Sequence, residues 1–229
     1  FSADLTIMEE GSELLKRLPE IKESGLPMFT SCCPGWVNFI KKEYPQYADR
    51  LSTAKSPQQM FGAVTKSYYA EKLGVDPERI FCVSLMPCLA KKGERNMELF
   101  YEEYAGHDVD IVLTTRELVR MIRSAHIAPS TLVDAPCDTL MQDGSGAGVI
   151  FGATGGVMEA ALRSAYFLVT GKNPDADAFS VVRSNNLNHG AVCAEIPIGD
   201  TVVRAAVVSG LGNARQLIEM IERGDVHYD

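Results

Sequence analysis

Three times along this 229-residue chain a β-forming run ends at a turn and passes into a helical stripe, and two of those turns carry cysteine. Pro27-Met28-Phe29-Thr30 ends at Ser31-Cys32-Cys33; Pro34-Gly35 turns the chain, and Trp36, Phe39, Ile40 and Tyr44 follow at helical spacing. Ile80 to Met86 runs straight at Pro87-Cys88. Val109 to Leu113 runs into Thr114-Thr115-Arg116-Glu117, which has the form of a capping box. Such alternation marks α/β units on parallel strands, whose ligands gather at the carboxyl ends of the strands. Both cysteine turns fall there, so they are expected to converge on one site. The expected architecture is α/β, with parallel or mixed sheets flanked by helices, as two lobes around a buried site. The lobes are expected at 1–127 and 128–229, or as one continuous domain, 1–229.

Other segments fill in this plan. Residues 8–18 read as an amphipathic helix. Ser56-Pro57-Gln58-Gln59 reads as a capping box with proline at the first helical position, opening a helix through Phe61, Val64, Tyr68 and Leu73. Residues 128–148 read as a long connection, and Gly155-Gly156 opens a helix through Leu162 and Phe167. Val181-Val182, Val192 to Ile198 and Val202 to Val208 form a β-rich stretch with a hairpin turn at Gly199-Asp200. A last helix is expected from Asn213 to about Ile221.

Composition narrows the function classes. A net charge of −8 argues against nucleic acid, whose phosphates need a basic footprint. No apolar run approaches a membrane span, so no membrane insertion is expected. The six cysteines are sparse and irregularly spaced, which fits a reduced, cytoplasmic setting better than a disulfide framework. Cys82 lies in an apolar run and reads as a small buried hydrophobe; Cys137 and Cys193 have no ligand-type neighbours. Val207-Val208-Ser209-Gly210-Leu211-Gly212-Asn213-Ala214-Arg215 imitates a dinucleotide fingerprint, but Arg215 stands where a small residue is needed. Gly144, Gly146 and Gly148 do not lead into an expected helix, so neither segment argues for a nucleotide. His107, His126, His189 and His227 are scattered, and surface or capping roles are expected of them.

Cysteines beside a proline-glycine turn, and a second Pro-Cys with Lys91 and Glu94 at fixed steps after it, suit soft-metal chemistry. In order and wording, Phe29-Thr30-Ser31-Cys32-Cys33-Pro34-Gly35-Trp36 and Met86-Pro87-Cys88-Leu89-Ala90-Lys91 resemble the first two cluster-binding motifs of the iron-iron hydrogenases. The resemblance extends to 52–66, 114–121, 145–165 and 207–215; Phe151-Gly152-Ala153-Thr154-Gly155-Gly156-Val157-Met158-Glu159-Ala160-Ala161 is its most specific phrase.

That family joins a four-iron four-sulfur cubane to a di-iron subsite bearing carbon monoxide and cyanide, together the H-cluster, and reversibly interconverts dihydrogen with two protons and two electrons. The resemblance implies Cys33 and Cys88 as cubane ligands, and Cys32 as the thiol that hands protons to the di-iron unit. Neighbouring residues on an extended segment face different ways, so one sulfur can bind iron while the other shuttles protons. By the same match, Glu10, Glu13, Arg17 and Ser52 form a proton route to the surface. Lys91 would donate to a cyanide nitrogen, and Pro57, Gln58, Met86, Phe151 and Gly152 would line the same pocket. Implied partners are the remainder of the hydrogenase chain or a complementing subunit, and a ferredoxin-type or other electron carrier.

The chain begins at Phe1 rather than Met and stops at Asp229, before the family's third cysteine motif. A processed or excised piece, inactive by itself, is therefore expected. Two relatives of the same fold offer other readings: a non-catalytic iron–sulfur assembly factor, which generally lacks the Cys32 thiol, and a hydrogen sensor, which commonly departs from the relay residues.

Overall fold

The computed structural model describes residues 1–183 and 190–229. It divides into two compact units, one formed by Phe1–Ala54 with Gly144–Asp229, the other by Lys55–Asp143. This division departs from lobes meeting at 127/128: the first unit is discontinuous, and the second is inserted within it in sequence. In chain order the helices are α1 (Ser2–Ser24), α2 (Pro34–Glu43), α3 (Pro57–Val64), α4 (Ala70–Leu73), α5 (Ala90–Arg95), α6 (Thr115–Ser124), α7 (Gly146–Ile150), α8 (Gly156–Thr170) and α9 (Leu211–Glu222). The strands are β1 (Val83–Leu85), β2 (Tyr101–Glu102), β3 (Gly106–His107), β4 (Ile111–Leu113), β5 (Ala191–Ile198) and β6 (Thr201–Val208). The class is mixed α/β, with small parallel and antiparallel sheets.

In the first unit, α1 and α8 lie over the β5–β6 hairpin. Leu18, Leu162, Ala165, Ile196, Ile198, Val203 and Ala205 bury one apolar cluster, joined by Phe179 and Val182. Gly11 lets the two helices approach: a Cβ there would already touch Ala161 O at 3.5 Å and Ala165 N at 3.7 Å. Helix α1 outruns its expected 8–18 because its first turn has no side-chain cap to announce it; it ends at Gly25, whose φ of 70° suits glycine. The hairpin has its expected turn, pairing Ile198 with Thr201. Val181-Val182 is not a strand but part of a 3-10 turn, Ser180–Arg183. The expected Pro27–Thr30 strand shrinks to a single parallel bridge, Phe29 to Leu51. Pro27 has no N–H to offer, and Met28 donates instead to Asp229 O at 3.1 Å. A second cluster gathers Ile40, Tyr44, Tyr47, Leu51 and Ile218, with Phe29 edge-on to Trp36 at 5.5 Å. Overlapping the end of the expected connection 128–148, Gly146–Ile150 forms a short helix, capped by Ser145, which in turn donates to Asp4 of α1.

In the second unit, β1 and β4 pair in parallel, Val83 with Ile111 through Leu85 with Leu113. Both are shorter than the β-rich runs that contain them. The capping box at Thr114 forms: its hydroxyl accepts from Glu117 N, and Glu117 Oε2 accepts from Thr114 N at 2.7 Å. The one expected at Ser56 does not. Ser56 makes no side-chain cap bond, and Gln59 turns inward, its Nε2 donating to Glu94 Oε2 at 3.4 Å. The helix expected through Leu73 passes through a π-turn, Thr65–Tyr69. There buried Lys66 donates to Ala105 O, His107 O and, at 2.8 Å, Asp110 Oδ1. Gly62 is demanded by packing, since a Cβ would sit 2.2 Å from Asp108 O.

Candidate functional site

The first unit brings four expected relay residues together. Glu10, Glu13 and Arg17 lie on one face of α1 by helical spacing. Ser52 follows the Leu51 bridge; its hydroxyl donates to Glu13 Oε2 at 2.6 Å and accepts from Ala54 N at 3.1 Å. Arg17 Nη2 pairs with Glu13 Oε1 at 2.7 Å while Nη1 donates to Asp49 O. Exposure rises along the series, from 2% of Glu10 and 7% of Ser52 to 14% and 25% of the Glu13 and Arg17 side chains. Ser31 and Thr53 belong to this constellation as well. Ser31 N–H donates to Glu10 Oε1 at 3.2 Å, and Thr53 holds Glu13 through both its N–H and its hydroxyl. Both stand beside residues the sequence picks out, Cys32 and Ser52, and adjacency was their only signal.

Glu10 Oε2 is buried with no hydrogen-bond partner among the described residues. Burial raises the Glu10 carboxyl to about 7; the Ser31 N–H opposes that shift and the neighbouring Glu13 charge adds to it. A carboxyl poised there can take up and release protons near neutral pH, as a relay requires. A mostly apolar cavity of about 100 Å³ runs beside Glu10, lined also by Met28, Phe29, Met158, Val203 and Tyr228.

Cys32 precedes Cys33, and Cys33 is the N-cap of α2, its carbonyl accepting from Val37 N at 3.0 Å. The Cys33 thiol is exposed, and none of the six cysteines forms a disulfide. Phe151 and Gly152 lie in the turn before α8. A Cβ at Gly152 would meet only Val149 O, at 4.0 Å, whereas at Gly156 it would clash with Ile150 O at 1.6 Å. Packing therefore requires Gly156 but not Gly152.

The second unit holds the other group. Cys88 is exposed just ahead of α5, and Lys91 N–H donates to Cys88 O at 3.3 Å. Met86 is half-buried at the end of β1, its N–H bonded to Leu113 O. Pro57 opens α3, and Gln58 is buried beside Glu94 and Lys91. Lys91 Nζ pairs with Glu94 at 2.9 and 3.1 Å. Spacing from Cys88 marks Glu94 in the sequence; of the residues that complete its surroundings, Gln59 reads there as part of a capping box and Ser84 carries no signal.

Several of the remaining cysteines and histidines have local contacts. Cys82 is half-buried, its thiol pushed up by burial. Cys193 Sγ lies 3.0 Å from Tyr228 Oη. His227 Nδ1 lies 3.1 Å from Gly25 O, a capping position, while His107 packs edge-on against Tyr101. His189 lies outside the described residues.

The donor chemistry of the cysteine turns fits an iron–sulfur group. Thiolates are its usual protein ligands, a cubane takes four, and Cys33 and Cys88 offer two accessible, unbridged ones. Among the described residues no group of three or more His, Cys, Asp or Glu side chains is arranged to hold a metal. No described helix is long and apolar enough to cross a membrane.

Residues 1–229 match the family described as "Iron only hydrogenase large subunit, C-terminal domain". The chain is 44% identical to the periplasmic Fe hydrogenase large subunit of Nitratidesulfovibrio vulgaris, over all of this chain and 53% of that one. It is 30% identical to the cytosolic Fe-S cluster assembly factor narfl of Xenopus tropicalis, over all of this chain and 49% of the relative. A solved structure of apo FeFe-hydrogenase HydA1 from Chlamydomonas reinhardtii superposes with a TM-score of 0.81 at 40% identity, covering 100% of this chain and 64% of that one. The chain thus spans about half the length of these curated relatives.

Proposed function

Because the chain belongs to the family of C-terminal domains found in the large subunits of iron-only hydrogenases, we propose that its parent enzyme reversibly interconverts dihydrogen with two protons and two electrons, and that these residues supply its proton relay and part of its cluster site. The H-cluster, when bound, supplies the redox chemistry. Cys33 and Cys88 are two of the cubane ligands, and the others come from the rest of the parent protein. Lys91, Met86, Pro57, Gln58, Phe151 and Gly152 bind and orient the group. A ferredoxin-type or other carrier exchanges the electrons.

The observation that carries this reading is the graded relay. Glu13, held by the Arg17 guanidinium, takes up a proton at the solvent side, the Ser52 hydroxyl links Glu13 inward, and Glu10 holds the proton on a carboxyl raised to about 7. Ser31, whose N–H anchors Glu10, is followed directly by Cys32, which gives or takes the proton at Sγ. The assembly-factor reading draws on the narfl relative. The relay and Cys32 favour the hydrogenase, since cluster assembly calls for no such path.

The test uses the full-length protein, reconstituted without oxygen. Cys32→Ala abolishes hydrogen turnover with iron and acid-labile sulfide retained, whereas Cys33→Ala or Cys88→Ala loses iron. A Cys32→Ala protein as active as wild type would refute the relay. We place the parent enzyme in the cytoplasm on its cysteine usage; given the periplasmic relative, cell fractionation is the direct check.

A further inference from the structure

Behind Lys91 the second unit builds a polar chain that crosses three elements. Ser84 on β1 donates to Gln58 Oε1 at 2.8 Å. The acceptors on its other side decide the amide's orientation: Nε2 must face the Lys91 carbonyl at 3.4 Å and Glu94 Oε2 at 3.2 Å, which leaves its oxygen to the Ser84 hydroxyl. Gln59 Nε2 reaches the same carboxylate oxygen at 3.4 Å. Glu94 is 3% exposed, and Gln58 and Gln59 are 6% and 0% exposed.

A carboxylate this deep is tolerated only when paired and hydrogen-bonded on every side it can offer. Lys91 and Glu94 stand three apart on the short helix α5, and a pair on one helix alone could pivot together. Two buried glutamines from α3 remove that freedom by tying the carboxylate to a second helix, and Ser84 ties one of them to the sheet.

We propose that Glu94 is a positioning residue: Ser84 orients Gln58, the two glutamine amides hold the Glu94 carboxylate, and Glu94 fixes where Lys91 Nζ points. The inference rests on the reading of Lys91 as the donor to a cyanide nitrogen of the bound cluster. It gives Glu94, Ser84 and Gln59 a task that the resemblance did not assign. Partners that orient a cofactor's immediate contacts carry effects of roughly 10–100-fold when removed.

The test compares infrared cyanide stretching bands and turnover of the full-length holoenzyme in wild type, Glu94→Gln, Ser84→Ala and Lys91→Met, with Glu94→Gln repeated in the Lys91→Met background. Glu94→Gln is expected to shift or broaden a cyanide band that Lys91→Met also moves, and to lower turnover about 10-fold or more. In the Lys91→Met background it should add no further shift. Ser84→Ala, which removes one hydroxyl, should give a smaller displacement of the same band and serves if Glu94→Gln does not fold. A lower melting temperature with the bands unmoved in both variants would overturn the positioning role and leave a structural ion pair. So would an equal Glu94→Gln shift with Lys91 already replaced. A wild-type holoenzyme without cyanide bands would instead sink the underlying reading of the site, and this inference with it.

Discussion

Ser52 Oγ donates to Glu13 Oε2 at 2.6 Å across 39 positions of sequence, so the relay on α1 is closed by a residue from another part of the chain. Ser52→Ala should lower turnover of the full-length enzyme about 100-fold or more, within the range for a lost positioned proton-transfer group. Its stability cost should be only about 2 kcal/mol, because Thr53 and Arg17 still hold Glu13. Urea melts beside hydrogen assays check both; unchanged turnover would remove Ser52 from the path.

Glu10 makes stability depend on pH with a definite sign. Its carboxyl titrates at about 7 in the fold against 4.5 unfolded, so the folded state binds more protons between these values. Stability therefore falls as pH rises from about 4.5 to 7, by an amount on the order of 3 kcal/mol, and levels off above. Glu10→Gln should flatten that window. Denaturant melts of both proteins at pH 5 and 7.5 measure the difference, and a slope that survives the substitution would mean another group is responsible.

Two glycines should respond in opposite ways to alanine. Gly62→Ala drives a methyl into the Asp108 carbonyl and should cost about 3 kcal/mol or prevent folding. Gly152→Ala meets nothing nearer than 4.0 Å and should leave stability within about 0.5 kcal/mol. If Gly152 gives room to the bound cluster, the same variant should take up less iron on reconstitution; full iron content with normal turnover would end that role.

Asp110→Ala should be among the most damaging substitutions in the second unit. Lys66 is 2% exposed, and its charged partner is Asp110 Oδ1, while Asp110 Oδ2 also accepts from Cys82 N at 2.6 Å. Leaving a buried ammonium with neutral acceptors alone costs about 3–5 kcal/mol. Thermal melts would show it, and a shift of only a degree or two would mean that the carbonyls of Ala105 and His107 suffice.

What could be read from sequence was what local chemistry decides. The Thr114 capping box, the Gly199-Asp200 hairpin and the glycines opening α8 depend on neighbours a few residues away, and they form as expected. Ser56 carried an equally good cap signal that fails, because Gln59 finds a better partner in Glu94, 35 positions on. The π-turn at Thr65–Tyr69 escaped for the same reason: it accompanies distant acceptors for Lys66, which leave no periodic trace. At the site, the Glu10–Glu13–Arg17 spacing was legible, whereas the Ser84–Gln58–Glu94 links join three elements and are invisible until those elements pack.

The discontinuity of the first unit also dictates an order of events during synthesis. Helix α1 is made before α8, carrying Ile7, Leu18 and Ile21 as an apolar stripe, yet residues 25–155 must follow before α8 arrives to pack on it. The segment 55–143 can meanwhile complete its own contacts. The inserted unit should thus mature on the ribosome while the unit that carries the relay waits for late-arriving chain, and long-range closure of that kind is slow and exposes sticky surface. For this protein, the vulnerable interval for misfolding is the time α1 spends waiting for α8.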